Sequence, residues 1–132
     1  MVIDSSAVIA ILLEEPEQEV FKGILASETS LAISAVTFHE ASIVMAGKKR
    51  TPAAAALVDD FINQLQIDVA TSSIEDALAA REAYFRFGRG YHSAALNLAD
   101  CFSYALAKSR NEPLLYKGDD FSKTDVIPAW LP

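Results

Sequence analysis

Four short apolar runs, Val2-Ile3, Leu31 to Ile33, Ile67 to Ala70 and Pro113 to Lys117, are separated by segments long enough to hold one or two helices each. Antiparallel strands can be joined by tight hairpins, whereas parallel strands need crossovers of a dozen residues or more, usually helical. Strands buried on both faces also read as continuous apolar runs. The pattern therefore predicts an α/β three-layer sandwich, with a mostly parallel central sheet flanked by helices. At 132 residues the chain has the length of one domain. One domain over 1–132 is expected, with no linker, repeat or low-complexity tract.

Local signals fill in the crossovers. Asp4-Ser5-Ser6 turns the first strand into an apolar helix over Ala7 to Leu13. Pro16 suits a helix N1 position, and Val20, Phe21, Ile24 and Leu25 share one face of a second helix ending near Ser27. Ser34 caps a third from Ala35 to Gly47, with Gly47 as its stop, and Thr51-Pro52 opens a fourth with the stripe Leu57, Phe61, Leu65. Ser72 and Glu75 have the form of a capping box for a helix up to about Phe87, broken by Gly88-Arg89-Gly90. Leu96 to Arg110 is the last helix, Gly118-Asp119-Asp120 follows the fourth strand as a turn, and Val126-Ile127 is an edge strand limited by Pro128.

Charge narrows the function. The 18 acids against 11 Lys and Arg give a net charge of −7, the wrong sign for holding nucleic acid by bulk charge. A nucleic-acid role would need a local basic rim or bound cations. The single Cys101 excludes an intrachain disulfide and a zinc cluster; inside the apolar run Leu98 to Leu106 it reads as an inert thiol of a protein of the reducing cytoplasm. No basic segment precedes the first apolar stretch, and Glu14, Glu15 and Glu17 cut it short, so neither a signal peptide nor a membrane span is expected.

Most acids stand among polar neighbours, but Asp4, Glu40 and Asp100 are embedded in apolar sequence. Asp4 ends the first strand, and the C-terminal strand ends of a parallel sheet open onto the ligand crevice. Its structural alternative is an N-cap for the next helix. Glu40 lies in a helical stripe with Val36, Ile43 and Val44, where a carboxylate needs a partner, an ion pair being the alternative. Asp100 lies one turn from Leu96, Ser103 and Tyr104 and faces packed structure; a buried hydrogen-bonded Asp would look the same. Asp119 and Asp120 follow another strand end, or form a solvated turn.

Carboxylates converging at one edge raise each other's pKa, so a stable cluster implies a cation. Oxygen-only ligands favour Mg²⁺ or Mn²⁺ over zinc. Such a site suits phosphodiester hydrolysis, the metal acidifying a water and offsetting charge on the phosphoryl oxygens. Lys48, Lys49, Arg50, Arg86, Arg89 and Lys117 are candidate phosphate contacts. His39 and His92 are the only histidines, and His39 points about 100° away from Glu40 around the helix, which disfavours metal-free acid–base cleavage. His92 can still touch substrate.

Five segments carry a resemblance: Val2-Ile-Asp-Ser-Ser-Ala7, the mid-helix Glu40, Phe87-Gly-Arg-Gly-Tyr-His92, Leu96-Asn-Leu-Ala-Asp-Cys-Phe-Ser-Tyr-Ala-Leu-Ala107 and Leu114 to Asp125. In order and spacing they resemble the PIN-domain ribonuclease toxins of the VapC type. The resemblance implies a PIN-like sandwich, a Mg²⁺- or Mn²⁺-dependent endoribonuclease that leaves a 5′-phosphate and a 3′-hydroxyl, a VapB-type antitoxin that silences it, and a homodimer. It puts Asp4, Glu40 and Asp100 at the three central acids, Asp4 and Asp100 as direct metal ligands and Glu40 as a ligand or the holder of a bound water. Ser6 matches the small hydroxyl residue beside the first acid. Asp120 is favoured over Asp119 as the fourth acid, since the Asp120-Phe121 pair is the part that matches; the chain departs from the commoner family pattern in having Gly118 where that pattern has an acid. With the basic residues and the histidine read from the sequence itself, Arg86, Arg89, His92 and Lys117 join Ser6 as candidate substrate contacts.

Two other functions fit parts of the sequence. An aspartyl-phosphate phosphotransfer domain also places an Asp after the first strand, but Asp4 is followed by Ser5-Ser6 rather than by the second acid such sites need. A metal-binding regulatory module without turnover is the non-enzyme alternative, which the full set of acids disfavours.

Overall fold

In a computed structural model, residues 1–131 are described. The strands are β1 (Val2–Ile3), β2 (Ala32–Ser34), β3 (Asp68–Ala70) and β4 (Leu114–Leu115). They form one sheet in the order β3-β2-β1-β4, and every pairing is parallel. The helices are α1 (Ser5–Leu12), α2 (Gln18–Ser27), α3 (Ala35–Lys49), α4 (Ala56–Gln64), α5 (Ile74–Phe87) and α6 (Leu98–Arg110), with 3₁₀ turns at Pro52–Ala55 and Phe121–Lys123.

Side chains alternate across each strand, and this splits the core into two layers. Ile3, Ile33 and Leu115 point to one face and pack with Val8, Phe21, Met45, Val58 and other residues of α1 to α4. Val2 and Leu114 point to the other and meet Ala80, Phe87, Leu96 and Tyr104 from α5, α6 and the loop between them. A helix layer therefore covers each face of the sheet, as the interrupted apolar runs predict.

Several boundaries and faces differ from the sequence expectation. The capping box of α5 pairs Ser73 with Asp76, one residue beyond the Ser72/Glu75 alternative. Helix α3 continues through Gly47 to Lys49, and Arg50 closes it in the left-handed region at φ 55°. The buried face of α4 is Val58, Phe61 and Ile62, leaving Leu57 and Leu65 partly in solvent. In α3 the buried face is Thr37, Ala41 and Met45, while Ile43 is 57% exposed, so Glu40 borders the core rather than lying in an apolar stripe. The expected edge strand reduces to a single parallel bridge between Leu114 and Pro128, bracketed by hydrogen bonds from Leu114 N to Ile127 O and from Ala129 N to Leu114 O.

Gly88 ends α5 against Tyr84, where a Cβ would collide with the carbonyl oxygen and the ring. That close approach turns the chain sharply into the loop carrying Arg89 and His92. Gly118, at φ +99°, makes the corresponding turn after β4. Among the described residues no helix is long and apolar enough to cross a membrane.

Candidate active site

The chain passes from β1 to β2 to β3 on one side and returns on the other side of β1 as β4. The strand order therefore reverses between β1 and β4, the switch point at whose carboxyl ends α/β sheets bind ligands. Asp4 follows β1 and Asp119-Asp120 follow β4 at that edge. Glu40 comes to it from the first turns of α3, whose cap Ser34 ends β2, and Asp100 from the first turn of α6.

Asp4 is 1% exposed. Its Oδ2 accepts from Ser6 N at 2.9 Å and Ser6 Oγ at 2.6 Å, so it does cap α1, and its Oδ1 accepts from Ser103 Oγ at 2.7 Å. Glu40 Oε2 accepts from Ser5 Oγ at 2.7 Å and Oε1 from Asn97 Nδ2 at 3.4 Å. Asn97 also binds Asp100: the two form a capping box, with Asn97 N donating to Asp100 Oδ2 at 2.7 Å and Asp100 N donating to Asn97 Oδ1 at 2.9 Å. Asn97 thus ties Glu40 to Asp100.

Every donor to these acids is neutral. Among the described residues none of the ion pairs includes Asp4, Glu40 or Asp100. Burial pushes Asp100 up to about 7, and the charges of Asp4, Glu40 and Asp120 push the same way against the backbone bond from Asn97. Burial likewise raises Glu40, opposed by Ser5 and reinforced by Asp4. Asp120, not Asp119, is the turn acid felt at Asp100, whereas Asp119 acts on the Tyr116 hydroxyl.

Among the described residues no three His, Cys, Asp or Glu side chains close into a finished metal cage. Magnesium does not require one, because it keeps several waters and takes only one or two protein carboxylates. The donor set is all oxygen, mutually repelling, and without a cation of its own; these residues fit a hard divalent ion.

The candidate substrate contacts do not share one fate. Ser6 lies between the site and β4, donating to Asp4 and accepting from Lys117 N at 3.0 Å. The Lys117 ammonium is engaged by Glu15 at 2.6 Å and Glu17 at 2.7 Å. Arg86 pairs with Asp125 at 3.3 Å and lies 4.6 Å from the Phe87 ring centre. His92 stacks edge-on against Phe87 and its Nδ1 accepts from Ala94 N at 3.1 Å. Arg89 is exposed in the loop after α5, without an ion pair among the described residues. Lys48, Lys49 and Arg50 end α3, about 12 Å along the helix from Glu40 and towards the opposite sheet edge.

Sequence reasoning passed over Ser5, Thr37 and Asn97. Asn97 was legible as the first member of an Asn-x-x-Asp capping box; Ser5 and Thr37 carry no local signal, because their partners are 35 and 66 residues away. Cys101 is buried, and burial raises its thiol to about 12, an unreactive group.

The PIN domain family model matches residues 1–127. A Ribonuclease VapC of Mycolicibacterium smegmatis is 41% identical over 126 residues, covering 96% of this chain and 97% of that protein. Ribonuclease VapC30 of Mycobacterium tuberculosis is 38% identical over 132 residues, the full length of both. Among solved structures, Mycobacterium tuberculosis VapC20, a sarcin-ricin loop cleaving toxin, superposes with a TM-score of 0.77 over 96% of this chain and 95% of that one, at 16% identity. A toxin–antitoxin complex from Klebsiella pneumoniae gives a TM-score of 0.69 at 17% identity, over 98% of this chain and 97% of that chain. At those identities the two structures speak for the fold.

Proposed function

Because the chain belongs to the PIN-domain family, we propose that it is the toxin of a type II toxin–antitoxin pair, an endoribonuclease working as a single PIN domain over 1–132 in the cytoplasm. The observation that carries this reading is the meeting of Asp4, Glu40 and Asp100 at the sheet's switch point with neutral donors and no cation. The curated VapC relatives, about 40% identical over nearly the whole chain, support the same activity.

Asp4 and Asp100 would hold Mg²⁺ or Mn²⁺ directly, with Glu40 as a third ligand or the acceptor of a bound water, and Asp120 at the rim. The ion supplies charge neutralisation at the phosphate and a water acidic enough to attack phosphorus at neutral pH. The chain's own part is orientation: Ser6 and Ser103 fix Asp4, and Asn97 holds Glu40 and Asp100 in one frame. Of the basic candidates, Arg89 has the freest charge for a phosphate; Arg86 and Lys117 are committed to acids, and His92 and Ser6 line the approach. The antitoxin is a VapB-type partner, in keeping with the structural neighbour that is a toxin–antitoxin complex. A second copy of the chain would cover the exposed Leu78, Phe85 and Leu98 of α5 and α6, giving a dimer by light scattering at micromolar concentration.

The test is cleavage of a mixed cellular RNA pool by antitoxin-free protein. Discrete fragments should appear with Mn²⁺ or Mg²⁺ and vanish with EDTA and in Asp4→Asn and Asp100→Asn. Intact RNA from folded protein that binds Mn²⁺ would overturn it.

A further inference from the structure

Behind the acids lies a chain of three hydroxyls sealed from solvent. Ser34 Oγ and Thr37 Oγ1 are 2.7 Å apart, Thr37 Oγ1 and Ser103 Oγ 2.9 Å, and Ser103 Oγ and Asp4 Oδ1 2.7 Å. Ser34 is 4% exposed, Thr37 and Ser103 0% and Asp4 1%. Distances leave the direction of the first two bonds open, but proton counting closes it. An ionised carboxylate only accepts, so the single Ser103 hydrogen goes to Asp4. Thr37 must then donate to Ser103, which uses its only hydrogen, and Ser34 must donate to Thr37. Ser34 Oγ in turn accepts from Thr37 N at 3.0 Å as the cap of α3. All the hydroxyls point one way, from the start of α3 to Asp4.

The chain also joins the elements that carry the acids. Thr37 is one turn before Glu40 on α3, and Ser103 is one turn after Asp100 on α6. The carboxylate of Asp4 offers about four acceptor positions, two on each oxygen. The two donors from Ser6 fill Oδ2, and Ser103 takes one position on Oδ1.

We propose that the one-way chain Ser34–Thr37–Ser103 is a positioning device for the metal site: it locks the Asp4 carboxylate so that one acceptor position on Oδ1 is left for the cation, and it holds the helices bearing Glu40 and Asp100 in register with it. Thr37, which touches no acid, is therefore a positioning residue. The proposal rests on the metal-site reading above only for its consequence, since the proton directions stand without a metal.

Neutron diffraction and Mn²⁺ binding by a set of variants test it. Neutron diffraction from the metal-free protein should find the Thr37 hydroxyl deuteron aimed at Ser103; one aimed at Ser34 overturns the chain. Mn²⁺ binding by calorimetry should weaken about 10- to 100-fold in Thr37→Val, the range for lost outer-shell partners. It should return to within about threefold of wild type in Thr37→Ser, which keeps the hydroxyl and loses the methyl, with the conservative rescue again set against that range. Thr37→Val should add nothing to the loss in Ser103→Ala, because both break the same path. Wild-type Mn²⁺ affinity in a folded Thr37→Val, a Thr37→Ser as weak as Thr37→Val, or additive losses would each overturn the proposal. If Thr37→Val does not fold, the neutron measurement decides. Wild-type protein that binds no Mn²⁺ but shows the expected deuteron directions would instead remove the metal-site reading and the consequence drawn from it.

Discussion

Asp100, in the first turn of α6, and Asp125, bound by Tyr104 and Lys108 further along the same helix, are treated in opposite ways. Asp125 receives the Tyr104 hydroxyl at 2.6 Å and faces Arg86 at 3.3 Å and Lys108 at 3.5 Å. That hydrogen bond, with the two cations, holds its carboxyl below the usual range. Asp100 has like charges around it and a neutral amide, and burial raises it to about 7. Where the chain supplies its own countercharge, the acid is a fastener, here tying the segment after β4 to α5 and α6. Where the chain withholds it, the carboxyl keeps its proton to higher pH unless a countercharge comes from outside.

The largest expected effect breaks the comparison at the unpaired acid. Asp100→Asn should lower RNA cleavage by more than about a hundredfold, beyond the range for outer-shell partners, while melting at or above the wild-type temperature in EDTA at pH 7, because it removes a repelling buried charge. Gel-resolved cleavage and a melting curve on one preparation check both halves. A variant that lost activity only by losing stability would put Asp100 in the same class as Asp125.

A smaller effect is thermal. Saturating Mn²⁺ should raise the wild-type melting temperature by roughly 10 °C at a hundredfold excess over its Kd, and leave Asp100→Asn nearly unmoved. Differential scanning fluorimetry against a Mn²⁺ series reads this without RNA.

The two acids also respond to pH with opposite signs. Asp100 holds its proton up to about 7 when folded and only to about 3.8 when unfolded, so the folded state binds more protons between those values. Stability of the metal-free protein from this group therefore falls as pH rises across that window. Asp125, depressed when folded, contributes stability above its unfolded pKa that is lost as pH falls through the lowered value. Melting temperatures of wild type minus Asp100→Asn in EDTA should thus become more negative from pH 4 to pH 7, and Mn²⁺ should cancel the trend.

How far the sequence reveals this contrast depends on the range of the interaction. Asp4 is legible because it ends an apolar strand at the ligand edge of a parallel sheet, although the same local pattern also marks the helix cap that it forms, and Asp100 because it interrupts an apolar run. Glu40 is less legible: the stripe of Val36, Ile43 and Val44 is not the buried face, and the signal that survives is an acid on a helix anchored by Thr37, Ala41 and Met45. Helical faces 100° apart per residue are hard to separate when alanine and small side chains are spread around the helix, which is also why Val58 and Ile62 displaced Leu57 and Leu65. Caps one residue apart, such as Ser72 and Ser73, satisfy the same local pattern, and only the folded backbone chooses between them. Pairings such as Ser103 with Asp4, 99 residues apart, leave no local trace.

The finest version of the comparison sets Arg89 against Arg86, three residues apart. Arg86 is tied to Asp125 and lies over Phe87, whereas Arg89 is exposed in the turn after Gly88. An arginine that neutralises one RNA phosphate releases about 0.7 of a counterion from single-stranded RNA, so Arg89→Ala should reduce the slope of log Kd against log salt by about that amount. It should weaken binding about equally across sequences, since phosphate contacts carry no base information. Arg86→Ala should leave the slope unchanged and lower the melting temperature by about 2 °C or less, as befits a pair more than a third exposed. Fluorescence anisotropy with a labelled single strand and the inactive Asp100→Asn background separates the two. If both variants shift the slope equally, the Asp125 pair opens to meet RNA, and the division between acids that fasten and acids that bind would then apply to the carboxylates but not to the cations beside them.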